Sequence, residues 1–276
     1  MGYSRISRAG FPALYKLLRS ELKVKILLSL LKGVRKPAGI KAEVGSSETT
    51  ILHALRELET QNLVLKHGKF YKLTPLGVIE ALLVEEVSST IDVLDKFSDF
   101  WLFHDIKDLP PDLLKRIGSL KDSILIQTKP TELSSVHEAF LNILLTSKKI
   151  KGVSPIFHQD YVAIIKQILS QGASVELIFT TPVLRKTLDL AEPELMTKYV
   201  EAERLKIFIR DDSKFALTVT ENCFSLGLFT LAGDYDYTTD LVSYSREALE
   251  WGEKLFENCL SGAKRFGWNT QCYTVS

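Results

Sequence analysis

The stretch PAGIKAEVGSSETTILHALRELETQNLVLKHGKFYKLTPLG, residues 37–77, decides the fold. Pro37 suits a first helical turn, Ile40 and Val44 lie four apart and Gly45 follows, so Pro37–Val44 reads as a short helix ended by a glycine turn. Ser46 or Ser47 caps a second helix running to about Gln61. Its core set is Ile51, Leu52, Leu55 and Leu58, and its outer face carries Thr49, Thr50, His53 and Arg56. Asn62 stops it, and Leu63–Leu65 and Phe70–Leu73 read as two strands joined by the basic turn Lys66, His67, Gly68, Lys69.

Upstream, Leu14, Leu17, Leu18, Leu22, Ile26, Leu27 and Leu30 recur at helical spacing, which predicts a helix from Pro12 to Leu31 closed by Gly33. Helix, short helix, turn, capped helix and basic hairpin form the order of a winged helix-turn-helix. There the second helix of the motif enters the major groove while positive side chains hold the backbone. The candidate DNA contacts are Ser47, Thr49, Thr50, His53 and Arg56 on the helix and Lys66, His67 and Lys69 on the wing. Glu48 either accepts from cytosine or complements the helix dipole. Each residue also has a plainer role: Ser46 and Ser47 as caps, Arg56 as the partner of Glu57 or Glu59.

Charge is partitioned in the same sense. The 276 residues carry a net charge of +1, but residues 1–85 hold 14 basic and 7 acidic side chains and the remainder 21 and 27. A polyanion-seeking surface therefore belongs to the first third, or that third simply has a solvated basic face. The length predicts two domains, and 45% hydrophobic with 25% charged residues excludes disordered, collagen-like and repeat-dominated classes. The most apolar run, Val24–Leu31, is too short to span a bilayer and is broken and flanked by Lys23, Lys25, Lys32 and Arg35. Met1–Phe11 lacks the pattern of a secretory signal, so a cytoplasmic protein with no membrane partner is expected. Cys223, Cys259 and Cys272 are too few for a disulfide framework or a zinc site and read as reduced structural residues.

With the helix Ser47-Glu48-Thr49-Thr50-Ile51-Leu52-His53-Ala54-Leu55-Arg56-Glu57-Leu58-Glu59 and the wing exit Gly68-Lys69-Phe70-Tyr71-Lys72-Leu73-Thr74-Pro75-Leu76-Gly77 in view, the chain resembles archaeal winged-helix transcriptional regulators of the methanogenesis regulatory protein family, with its middle domain. The winged-helix part is widely shared and identifies a mechanism; the match to the middle domain is diffuse and covers roughly residues 120 to 265.

Thr74 and Pro75 open a further helix, whose apolar stripe Leu76, Ile79, Leu83, Val87, Ile91 and Leu94 runs on towards Phe97, Phe100, Trp101 and Phe103. About 28 helical residues would span on the order of 40 Å, more than a small winged domain covers. The stripe therefore predicts a homodimer, the alternative being an intramolecular bridge whose aromatic end packs on the C-terminal domain. Pro110 and Pro111 mark the boundary.

Beyond it, strand-like runs at Ser123–Ile126, Ile150–Ser154, Ser174–Phe179, Lys206–Ile209, Phe215–Thr220 and Phe224–Phe229 alternate with helical patterns at Glu132–Leu145, Gln159–Ser170, Glu192–Glu203 and Arg246–Arg265. The pattern predicts an α/β domain with a mixed sheet, parallel early and a hairpin at Phe215–Phe229. Ligands gather beyond the carboxyl ends of such strands, here the loops Gln127–Pro130, Ser154–His158, Thr180–Arg185 and Arg210–Lys214. This domain looks like a phospholipase D-type fold. The enzymes carry His-x-Lys-x4-Asp, against Asp212-Ser213-Lys214 and Val219 here, so nucleophile and orienting carboxylate are both missing and the frame reads as degenerate. The histidines His53, His67, His104, His137 and His158 are scattered, and neither a catalytic nor a metal site is expected.

The candidate effector residues are Ser154, His158, Thr180, Thr181, Arg185, Arg210 and Lys214, a set suited to an anionic group. Arg185 with Asp189, and Arg210 and Lys214 with Asp211 and Asp212, are the plainer pairings. Ala232–Asp240 reads as an acidic aromatic loop: a lid, a cation site or an exposed segment.

The expected organisation is α+β: a winged helix-turn-helix domain over residues 1–76, a connector and dimerisation helix over 77–109, and a C-terminal α/β effector-sensing domain over 110–276. The function that follows is a dimeric transcriptional regulator that binds double-stranded DNA and senses a small molecule, with no cofactor. A phosphodiesterase-like enzyme and a protein-interaction adaptor are the alternatives.

Overall fold

A computed structural model describes residues 20–128 and 135–267, the side chains of 135–139 excepted. Contacts divide the chain into two compact units, one ending at Ser89 and the other starting at Thr90.

In the first unit, helix α1 spans Glu21–Leu31, α2 spans Pro37–Val44 and α3 spans Glu48–Thr60. Strands β1 (Val64–His67) and β2 (Phe70–Leu73) form the wing, and helix α4 (Pro75–Lys96) follows. Helix α1 begins later than expected because Ser20 is non-helical and its side chain accepts a hydrogen bond from the Lys23 amide; residues 12–19 of the expected helix lie outside the described residues. Gly45 ends α2 with φ 71°, a conformation that favours glycine, and its amide bonds the Lys41 carbonyl. Ile26, Leu27, Leu30, Ile40, Ile51, Leu55, Leu58, Val64 and Tyr71 fill the core between these elements.

The wing pairs antiparallel from Val64↔Leu73 to His67↔Phe70, around a two-residue turn in which Gly68 takes φ 60°. Arg35 adds a rung, exchanging two backbone hydrogen bonds with Tyr71. The wing exit is locked by Thr74, whose hydroxyl donates to the Asn62 carbonyl at 2.6 Å and accepts from the Gly77 amide at 2.9 Å. This draws α4 so close to the residue before β1 that a Cβ on Gly77 would lie 1.9 Å from the Leu63 carbonyl oxygen.

Helix α4 starts in the first unit and ends in the second. It is shorter than expected, since Phe97 (φ −120°, ψ 33°) breaks the chain before helix α5, Ser98–Phe103. At 22 residues α4 is roughly 33 Å long. Its aromatic end is core: Val93, Phe97 and Phe100 are buried in the second unit, and the Lys96 ammonium donates to the Lys121 and Ser123 carbonyls.

The second unit continues with α6 (Pro111–Leu114), a 3-10 turn at Ile117–Leu120 and β3 (Ile124–Gln127). Next come α7 (Ser135–Leu145), β4 (Lys149–Ser154), α8 (Gln159–Ser170) and β5 (Ser174–Thr180). Helices α9 (Thr181–Leu190) and α10 (Pro193–Glu201) lead to β6 (Leu205–Arg210). The chain closes with β7 (Phe215–Thr220), β8 (Phe224–Leu228), β9 (Thr239–Ser243), α11 (Arg246–Ser261) and β10 (Lys264–Arg265).

The strands make one eight-stranded mixed sheet in the order β10-β6-β5-β4-β7-β8-β9-β3. β4, β5 and β6 run parallel and their other neighbours antiparallel, with the hairpin at β7 and β8. One face packs on α11 through Leu217, Val219, Phe224, Trp251, Leu255 and Phe256; the other meets α7, α8, α9 and α10 through Ile150, Val175, Leu205, Leu144, Ile168 and Met196.

Three sequence expectations are corrected here. Thr181–Leu190 is a helix and no loop, because Pro182 stands in its first turn where a missing amide costs nothing. The Arg246–Arg265 pattern stops as a helix at Ser261, and Lys264 and Arg265 join the sheet edge beside β6. Thr239 and Asp240 leave the acidic aromatic segment to become part of buried strand β9.

Replacing Gly77 by Ala tests the wing lock. Helix propensity alone favours Ala by about 1 kcal/mol. Contact with the Leu63 backbone reverses the sign, so Gly77→Ala is expected to destabilise the chain by about 2 kcal/mol in urea melts. A neutral or stabilised variant would contradict the packing.

Candidate functional site

Two regions carry chemistry. The first is the outer surface of α3 and the wing. Ser47 caps α3, accepting from the Thr50 amide at 3.2 Å, and its hydroxyl lies 2.7 Å from that of Thr50. The two hydroxyls are thus oriented by each other, while Thr49 is exposed beside them. His53 is exposed with Nδ1 3.7 Å from Glu57, and Glu57 also meets Lys23 at 2.6 Å. Arg56 is exposed and makes no ion pair with Glu57 or Glu59 among the described residues. Lys66, His67 and Lys69 project from the wing, Lys66 with its ammonium 5.9 Å from the Tyr71 ring centroid. Helix start and wing tip therefore present the eight expected DNA-contact residues, Ser47 partly used as a cap.

The second region is a cavity of about 380 Å³ in the second unit, within the range of small-molecule sites. Its floor is the sheet face opposite α11, and its walls are Phe140 and Leu144 of α7, Tyr161, Val162 and Ile165 of α8, Val183 and Thr187 of α9 and Met196 of α10. Space exists because the central strands carry small residues on this face: Gly152 on β4, Ala216 on β7 and Ser225 and Gly227 on β8. The Tyr235 hydroxyl fills the position beside Gly227, where a Cβ would lie 2.1 Å from it.

At the β8–β9 end the lining turns polar. Asp240 on β9 is buried and accepts a 2.6 Å hydrogen bond from the Ser225 hydroxyl. Burial pushes its carboxyl up to about 7, against the Ser225 hydroxyl and the Leu241 amide, which draw it down. Tyr161 faces it from α8 and Tyr235 from the preceding loop; burial, then the Asp240 charge, raises both phenols. Asp236 behaves in the opposite way: burial disfavours its charge, but the Thr238 hydroxyl and amide, with His104, hold it below the ordinary carboxylate range. His104 Nε2 lies 3.1 Å from Asp236 and Nδ1 2.7 Å from the Phe100 carbonyl, which anchors the loop.

Of the expected effector residues, Ser154 and His158 line the cavity. The Ser154 hydroxyl donates to the Ile156 carbonyl, and His158 caps α8, accepting from the Asp160 amide with its ring 5.3 Å from that of Tyr161. Thr180, Thr181, Arg185, Arg210 and Lys214 are not among the cavity's lining residues. Thr180 is buried at the end of β5, with Arg210 as its partner in register on β6; Thr181 and Arg185 are exposed on α9. Arg210 donates to the Asp212 carbonyl, and Lys214 pairs with Asp212 at 3.4 Å and stands over the Phe229 ring. The seven residues therefore do not converge on one anion. Tyr161 and Ser225 were missed, while Asp240 and Tyr235 belong to the acidic aromatic segment for which a cation site was one of the expected readings; the polar pair Thr239 and Asp240 leading into Leu241 and Val242 is the signal that marks Asp240 as a strand residue.

Val219 is buried in the core that packs on α11. Cys223 and Cys259 are buried free thiols that burial pushes up to about 12 and about 11, which suits structural roles; Cys272 lies outside the described residues. The described residues hold no cluster suited to a metal ion, and no described helix is long and apolar enough to cross a membrane.

The family models and the curated relative agree on one family. The family model for the N-terminal domain of the methanogenesis regulatory protein FilR1 matches residues 12–92, and that for its middle domain matches residues 133–262. The methanogenesis regulatory protein FilR1 of Methanothrix harundinacea (strain 6Ac) is 36% identical over 245 residues, 86% of this chain and 54% of that protein. The chain thus spans about half the length of the curated relative it matches. Among solved structures, TrmBL2, described as an archaeal chromatin protein with a novel mode of DNA binding, is 13% identical with a TM-score of 0.43, covering 92% of this chain and 99% of its own. Nuc, a phospholipase D family member from Salmonella typhimurium, is 10% identical with a TM-score of 0.40, covering 52% of this chain and 97% of its own. Likenesses this slight say nothing about activity.

The Asp240 carboxyl gives the stability of the chain a definite pH dependence. Folded, it keeps its proton to about 7; unfolded, it releases it near about 4. The folded state therefore binds more protons in that window, and this contribution is fully present below about 4 and lost as pH rises through about 7. Between pH 5 and pH 8 the stability of the native chain is expected to fall relative to Asp240→Asn by on the order of 2 kcal/mol in urea melts. A pH-independent difference would contradict the burial.

Proposed function

The chain belongs to the FilR1 family of methanogenesis regulatory proteins through both matched domains, and from this premise we propose that it is a DNA-binding transcriptional regulator, dimeric, whose second unit senses a small molecule. The observation that carries the reading is the set Arg56, Lys66 and Lys69: exposed cations on the reading helix and wing, with no carboxylate partner among the described residues. Unneutralised charge on a winged helix is available to phosphates, and residues 1–85 carry the positive excess. Thr49, Thr50 and His53 face the same side and supply the donors and acceptors that base edges need.

The dimer rests on α4. All six stripe residues are exposed: Leu76 49%, Ile79 58%, Leu83 53%, Val87 37%, Ile91 51% and Leu94 44%. A continuous apolar stripe of this length is covered when a second copy lays the same face against it, and two reading heads then double the DNA contacts. Catalysis is not part of the proposal: Asp212 and Val219 stand where phospholipase D enzymes place His and Asp, and Val219 is walled into the core. The domain limits are proposed as 1–76, 77–109 and 110–276 by role, with the end of the connector also serving the C-terminal core.

Two measurements test this reading. Titrating duplex DNA at several salt concentrations, Lys69→Ala is expected to weaken binding and to reduce the slope of log K against log salt by about 1, while Arg56→Ala costs about 1 kcal/mol or more, both without loss of helical signal. Unchanged affinity and slope would count against a DNA-binding face. In sedimentation equilibrium, Leu83→Glu is expected to convert the dimer to a monomer, and a chain that is already monomeric without the change would remove the dimer from the account.

A further inference from the structure

The cavity's lining contains Asp236 and Asp240, three tyrosines and a histidine, but neither Lys nor Arg among the described residues. The described lining therefore offers no counter-charge to the anionic ligand expected from Thr180, Arg185 and Arg210, and an anion brought into an apolar pocket beside two carboxylates would be desolvated at a cost. A cation meets the reverse conditions: a carboxylate at the polar end, aromatic rings in the lining and an apolar floor beside it.

We propose that the cavity binds a lipophilic organic amine, its ammonium group donating to the Asp240 carboxylate and lying among Tyr161 and Tyr235, and its apolar body on the small-residue floor at Gly152 and Ala216. This rests on the ligand-sensing reading above and names the chemistry of its ligand. The Ser225 hydroxyl, at 2.6 Å, and the Leu241 amide hold Asp240, which orients the carboxylate and still leaves it lone pairs to accept from an ammonium. Tyr235, packed against Gly227 and edge-on to Phe229 and Tyr237 at 5.4 and 4.9 Å, presents its ring where a larger residue at 227 would displace it. Asp236, tied to Thr238 and His104, fixes the loop that carries these tyrosines. Each part of the arrangement has a use in holding a cation, whereas a purely structural core would fill the floor with larger side chains and leave no carboxylate inside it.

Three probes of one shape separate the terms: 4-phenylbutylamine, 4-phenylbutanol and 4-phenylbutanoate, titrated calorimetrically into the full chain at pH 8, where Asp240 is mostly ionised. The amine is expected to bind roughly 10-fold or more tighter than the alcohol, and the carboxylate not measurably. Asp240→Asn is expected to bring the amine down to the level of the alcohol and leave the alcohol unchanged, while Ala216→Phe, which fills the floor without touching Asp240, abolishes both. Alcohol or carboxylate binding as tightly as the amine in the native chain overturns the assignment of a cation and leaves the cavity as an apolar ligand site. Absence of binding by all three overturns the ligand-sensing reading as well.

Discussion

Side chains on a strand alternate between two faces, so a sheet wrapped by helices on both sides needs bulk on both. Here the bulk is unequal. Leu217, Val219, Phe224 and Leu226 share one buried core with Trp251, Leu255 and Phe256 of α11, and the Trp251 indole donates to the Leu113 carbonyl. The opposite face of the same strands carries Gly152, Ala216, Ser225 and Gly227. The helices above it are held off by their own contacts with the outer strands β5 and β6, through Val175, Leu177, Leu205 and Ile207, and cannot collapse into the space. A cavity at the centre of the sheet is the consequence. Asp240 completes it: a carboxyl placed where water is scarce, steadied by Ser225 and shifted towards its protonated form by burial.

The first unit is governed by local bonds instead. Ser47 and Thr50 satisfy the start of α3, Gly45 turns the chain before it, and Asn62 takes φ 60° after it so that the Leu63 amide reaches the Leu58 carbonyl. Thr74 ties the wing exit to the same place. Lys23, Lys25, Lys32 and Arg35 each meet a carboxylate, whereas Lys36 and Lys41 at α2, Arg56 on α3 and Lys66, Lys69 and Lys72 on the wing have none among the described residues. The division between structural and available charge is a property of the fold, and net charge alone does not show it.

Helices and the wing were legible because their signals are local: period, cap, Gly-containing turn. Ile40, Ile51, Leu55 and Leu58 are core as their spacing required. The connector was overestimated because apolar residues continue through Phe97 and Phe100, and only backbone geometry shows that the helix breaks between them and Lys96. The candidate ligand site was largely illegible. Its floor is assembled by register, Gly152 opposite Thr218 across strands β4 and β7 far apart in sequence, and Thr218 opposite Ser225 within the β7–β8 hairpin. Asp240 was hidden in a run whose acidic and aromatic composition resembles an exposed loop, although the five residues Thr239–Ser243 pair with both β8 and β3. The basic residues that seemed suited to an effector balance neighbouring carboxylates or lie exposed on α9, as exposed cations usually do.

The central proposal is that the cavity and the proposed DNA-binding face belong to one regulatory device, and linkage gives it a direct test. A duplex selected from a random pool by the full chain is titrated with protein, with and without saturating 4-phenylbutylamine. The account predicts a change in duplex affinity of roughly 5-fold or more, matched by an equal change in amine affinity when the duplex is present. Identical duplex affinity in both titrations, with the amine demonstrably bound, would contradict it.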